Sequence, residues 1–267
     1  MPEMTDDDLC YLFEKVKQYV DLDSVMLVGA RARDIHQLKY RDTPPLRSTD
    51  DVDLALAVSS WQPLETLRES YPAPTDAWQK LQVGSLPVDV VPFGALENPP
   101  GEVSAEDGFQ MNVAGFKEAF ESCEFHTLSD GTTIKIPSVA GFTALKLHAW
   151  LDRHPDGKYK DAKDLALVLA WYEEDFETLY NDFDNVYDEA VVGETDRMAA
   201  RVLGFHAAEL LGPDSTETLV ERFRRETEGS LRLFAKHLWV IGETKHPFER
   251  RELQVQDLIH SLTHSAR

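Results

Sequence analysis

The chain has 267 residues, enough for one large domain or two modest ones with an ample buried core. Hydrophobic residues make up 42% and charged residues 28%, as in a soluble globular protein, and no apolar run approaches the ~20 residues that a transmembrane helix needs. A formal charge of −21 argues against broad, sequence-independent binding to nucleic acid, which needs a cationic surface.

Elements follow from the spacing of apolar residues. Thr5 with Asp8 marks a helix start, and Leu9, Leu12, Phe13, Val16, Tyr19 and Val20 recur at helical spacing. "VMLVGA" (25–30) reads as a short buried strand ending in Gly29, with a helix through "RARDIHQLKY" behind it. "RSTDDVDLALAV" (47–58) leads into a second strand, and "PLETLRESY" reads as a helix. "WQKLQVG" and "PVDVVPFG", joined by a short turn, read as two more strands. A helix near "VAGFKEAFES" precedes a strand pair, "CEFHTL" and "TTIKIP", around Asp130-Gly131. From Ser138 onward nearly every segment predicts helix, with breaks near "RHPDGKY", Asp182, "GPDST" (212–216) and His246-Pro247. The expected fold is α+β: residues 1–137 form a mixed sheet with helices, and residues 138–267 an all-helical domain.

The start, "MPEMTDDDLC", lacks the basic-then-apolar layout of a signal peptide, so a cytoplasmic location is expected, with no membrane partner. Cys10 and Cys123 are far apart and in no metal-ligand spacing, which predicts reduced thiols. Charge is unevenly spread: residues 215–267 hold nine Lys/Arg against eight Asp/Glu, while residues 173–196 hold ten acids and no base. That acidic segment reads as a solvated rim, or else as an electronegative lip for a cationic substrate.

Three carboxylates carry the chemistry. Side chains alternate along a strand, so Asp51 and Asp53 share one face while Val52, Leu54, Leu56 and Val58 point to a core. Asp89 sits alone among apolar residues in "PVDVVPFG", where an unpaired charge is costly. If the two strands are neighbours, three carboxylates converge, and such a cluster is stable when it holds divalent metal. Hard Mg²⁺, or Mn²⁺, prefers oxygen ligands and completes its shell with water and substrate phosphates. The alternative for Asp89 is an ion pair with an arginine.

The ordered set "MLVGARARD", "RSTDDVDLALAV", "VDVVPFG", "MNVAGFKEAF", "GFTALKLHAWLDR" and "KDAKDL" resembles the DNA-polymerase-β-type nucleotidyltransferase superfamily. Within it, the chain looks like the abortive-infection (AbiEii-like, toxin-type) nucleotidyltransferases. The resemblance spans most of residues 25–170; the tail from 171 matches no catalytic pattern. The superfamily's usual Gly-Ser or Gly-Gly is here Gly29-Ala30, so no serine hydroxyl stands beside that glycine.

The resemblance implies a polymerase-β-like fold whose helical domain completes an active-site cleft. It implies transfer of NMP from an NTP to an acceptor hydroxyl. Asp51, Asp53 and Asp89 become metal ligands, with Asp89 also the general base. Gly29 and Ala30 would bring backbone amides to the triphosphate. Arg31, Arg33, Arg47 and Thr49 would touch phosphate or its metal; Arg31 and Arg33 alternatively pair with Asp34. Lys146 would contact nucleotide phosphate and Asp161, or Asp164, would be the acid of the last motif. A surface lysine and an ordinary first-turn helix acid are the plain alternatives for that pair. Toxin-like relatives act on RNA, notably tRNA ends, so Arg222, Arg224, Arg225 and Arg232, with Lys236, would form a basic face, and a toxin role would imply a cognate antitoxin as partner. The other acceptor is a small cationic molecule of the aminoglycoside type. An inactive nucleotide-binding module is the reading of a different class.

Overall fold

The computed structural model describes residues 5–41, 51–105, 108–239 and 246–265. The chain divides into two compact units, Met1–Ser138 and Val139–Arg267. Together they make an α+β protein with a mixed six-stranded sheet.

In unit 1, helix α1 (Asp6–Val16) opens with a capping box, in which the Thr5 backbone amide donates to Asp8 at 2.7 Å. Its Leu9, Leu12, Phe13 and Val16 are buried. Strand β1 (Val25–Val28) runs straight into α2 (Gly29–Arg41). Next come β2 (Val52–Ala57), α3 (Gln62–Ser70), β3 (Lys80–Val83) and β4 (Leu86–Phe93). Two very short strands, β5 (Glu102–Ser104) and β6 (Gln110–Asn112), form a separate ribbon that the apolar spacing does not announce. Helix α4 (Phe116–Glu121) and the hairpin β7 (Glu124–Thr127) and β8 (Thr133–Ile136) finish the unit.

The sheet order is β3-β4-β2-β1-β8-β7. β2 runs parallel to β4 and antiparallel to β1, and β3 folds back antiparallel on β4. Alternation then sorts the side chains. Leu27, Leu54, Val90 and Leu81 turn to the face where Leu9, Phe13, Leu64 and Leu67 of α1 and α3 join one apolar core. The opposite face carries the aspartates.

Every described element of unit 2 is helical: α5 (Val139–Arg153), α6 (Lys160–Glu174), α7 (Phe176–Asp182), α8 (Thr195–Arg224), α9 (Glu228–His237) and α10 (Phe248–Ser265). The break expected at "GPDST" is a kink inside α8, where Gly212 adopts φ 71° ahead of Pro213. Residue 204 is glycine because α8 and α10 touch there; a Cβ would lie 2.4 Å from the Leu258 carbonyl oxygen.

Candidate functional site

Of the two aspartates flanking Val52, Asp53 stands where the alternation puts it, whereas Asp51 falls just outside the strand expected to carry both. Asp53 lies in β2 on the face opposite the core, and Asp51 sits in the bend just before that strand. Both are half-buried. The parallel register places Asp53 directly beside Asp89 of β4, so these two carboxylates share one face of neighbouring strands.

Gly29 closes the site on the β1 side. It follows Val28, the register partner of Asp53, and takes φ 65°. A Cβ on Gly29 would meet Asp53 Oδ2 at 1.9 Å and Asp53 Cγ at 2.6 Å. The backbone at the start of α2 is therefore packed against the Asp53 carboxylate, at the helix end where the dipole favours negative charge. Only glycine combines that backbone conformation with that approach.

Asp89 has a partner that the sequence reading does not name. Lys80, its register neighbour on β3, donates to both of its oxygens, at 2.7 and 3.1 Å. The partner is a lysine on the adjacent strand rather than an arginine. Its signal was in the sequence: a two-residue turn at Gly84-Ser85 pairs Val83 with Leu86 and, counting outward, Lys80 with Asp89. The hydrogen bond to Asp89 is the main cause that raises Lys80 above the ordinary lysine range; burial opposes it, and the charges of Asp89, Asp51 and Asp53 add to the rise. Among the described residues, no three carboxylate, imidazole or thiolate side chains converge as a ready metal site. The donor set still fits Mg²⁺ or Mn²⁺ in kind, being all oxygen and anionic.

The arginines after Gly29 turn elsewhere. Arg33 is buried and donates from Nε to Asp34 Oδ1 at 2.9 Å. Arg31 reaches Asp34 at 3.5 Å and lines a cavity of about 580 Å³ whose walls include none of Asp51, Asp53 or Asp89. Pairing with Asp34 is thus what both arginines do. Arg47 and Thr49 lie outside the described residues.

Unit 2 assembles the later motif residues into an ion network. Lys146 on α5 lies 3.1 Å from Asp161 and 2.6 Å from Asp164, both on α6. Arg153 holds the other side of Asp161 at 3.2 Å. All but Arg153 are buried, and Asp161 is wholly so. Burial works against the Lys146 ammonium, but Asp164 and Asp161 outweigh it and hold the lysine above its ordinary range. The surface-lysine alternative therefore does not describe Lys146, and neither Asp161 nor Asp164 can be singled out, since both hold it.

The tail arginines are largely engaged. Arg222 pairs with Asp152 and donates to His148 Nδ1 at 3.0 Å. Arg224 pairs with Glu217 and Glu221, and Arg232 with Glu252. Arg224, Arg225 and Arg232 are all exposed. At least six of the ten acids of the acidic segment are engaged: Glu173 binds His246, Asp175 caps α7, Asp182 meets His206, Asp188 meets Arg201, and Glu194 and Asp196 meet Arg250. Glu174, Glu177, Asp184 and Glu189 of the same segment are exposed, as a solvated rim would have them.

No helix among the described residues is long and apolar enough to cross a membrane. No protein-family model matches the chain, and no curated protein matches its sequence.

Proposed function

We propose that the protein is a divalent-metal-dependent nucleotidyltransferase of the polymerase-β type, moving a nucleotidyl group from an NTP to an acceptor hydroxyl. The observation that carries this reading is the pairing of Asp53 with Asp89 in register, with the Gly29 backbone pressed against Asp53. Asp51, Asp53 and Asp89 would hold Mg²⁺ or Mn²⁺, which supplies charge neutralisation at the phosphates. Asp89 accepts the proton of the attacking hydroxyl. The new bond forms between the acceptor oxygen and the α-phosphorus, the α–β bridging bond breaks, and pyrophosphate carries away the electron pair. Gly29 keeps the start of α2 free of side chain, so its amides can approach a phosphate.

Arg222, Arg224 and Arg232 each pair with an acid, and acids of the 173–196 segment pair with bases, so neither charged surface favours RNA over a small cation as the acceptor. Incubation with each labelled NTP and Mg²⁺ separates the acceptors, with total tRNA in one arm and a panel of small hydroxyl compounds, aminoglycosides included, in the other. Label on either acceptor, abolished by Asp53→Asn, supports the reading. A rise in melting temperature with Mg²⁺ and NTP but no label in either arm supports nucleotide binding without turnover. Neither label nor shift at millimolar NTP contradicts both.

A further inference from the structure

We infer that Lys80 is an exchangeable counterion for Asp89, holding that carboxylate in the nucleotide-free protein and yielding it when a divalent cation binds. The inference rests on the metal site proposed above and adds a residue to it.

Three strands set up a row of charges across one face: Asp53 on β2, Asp89 on β4 and Lys80 on β3. Two carboxylates lie side by side, and Lys80 holds the outer one, Asp89. The ammonium covers both Asp89 oxygens, at 2.7 and 3.1 Å, so each atom that would ligate a cation is already engaged. The pair is nevertheless open to exchange. The Lys80 and Asp89 side chains are 37% and 22% exposed, so water and ions reach them. The lysine stem is flexible and carries a compact charge, so the ammonium can leave without backbone change. A divalent ion brings two charges to neighbouring carboxylates where the ammonium brings one. An ordinary cross-strand ion pair that only steadies the sheet would keep Asp89 and leave cation binding unaffected by Lys80.

Mn²⁺ titration without nucleotide, followed by the electron paramagnetic resonance of free Mn²⁺, distinguishes the two. Lys80→Ala should bind Mn²⁺ about 3- to 10-fold more tightly than the wild type, since a competing, partly screened charge is gone. Lys80→Arg should stay within about twofold of the wild type, and Asp53→Asn should lose most binding. Lys80→Gln carries the same expectation as Lys80→Ala if the alanine variant fails to fold by circular dichroism. A wild type that binds Mn²⁺ while both neutral variants bind equally or more weakly overturns this inference and leaves the metal site standing. A wild type that binds no Mn²⁺ at millimolar concentration overturns both.

Discussion

The Asp53 carboxylate occupies the space in which a side chain on Gly29 would begin. A Cβ at Gly29 would lie 2.9 Å from Asp53 Cβ as well as 1.9 Å from Oδ2, so turning the carboxylate aside does not relieve the overlap. The strand end, the helix start and the carboxylate are set by one close contact. The first residue of α2 is thus shaped by the site as much as by the helix.

Gly29→Ala should therefore destabilise unit 1 by about 2–4 kcal/mol, combining a left-handed alanine with overpacking against Asp53. Urea unfolding measures this. A loss under about 0.5 kcal/mol, the range of an indifferent surface change, would mean that Gly29 does not fix Asp53.

Lys146 gives a second test. Lys146→Met leaves buried Asp164 without its ammonium and Asp161 with Arg153 alone, which should cost about 3–5 kcal/mol. The folded-state value of Lys146 is raised above 10.5, so its stabilisation is fully present below that pH and is lost as pH rises through the raised value. Alkaline unfolding curves should show that loss in the wild type and not in Lys146→Met. A variant as stable as the wild type would show that the network does not hold unit 2. An activity defect in any Lys146 variant has to be read against this stability change.

His148 sets an acid limit. Burial first, and then the neighbouring Arg222, lower it from 6.5 to about 3, so the folded protein keeps it neutral. The unfolded chain takes up a proton below 6.5 that the folded chain refuses, so stability is lost as pH falls through that window. Between pH 7 and pH 5 this one group should remove about 2 kcal/mol. His148→Gln should flatten the pH dependence by that amount; an unchanged slope would show that His148 is not held neutral.

The strands around the site were legible because alternation leaves Asp51 and Asp53 in 51–58, and Asp89 in 87–94, on otherwise apolar runs. Register follows from that pattern once the strands are neighbours, and the Gly84-Ser85 turn brings Lys80 to Asp89. The β5–β6 ribbon was not legible, since three-residue strands carry too little alternation to stand out. The burial of Lys146 in "GFTALKLHAWLDR" was not legible, because its neutralising acids, Asp161 and Asp164, come from the next helix. The pairing of the tail arginines was hidden for a similar reason. Glu217 and Glu221 are near Arg224 in sequence, but Asp152 and Glu252 reach Arg222 and Arg232 only through tertiary packing.

The most direct test of nucleotidyl transfer follows the phosphorus atoms. The protein is given Mg²⁺, its acceptor, and the same NTP labelled at either the α- or the γ-phosphate. Transfer by attack at the α-phosphorus should place α-label on the acceptor and γ-label in pyrophosphate in equal amounts, with both lost in Asp53→Asn. Release of γ-label as inorganic phosphate with none of the α-label transferred would mean simple hydrolysis. That result would contradict the role assigned to Asp51, Asp53 and Asp89.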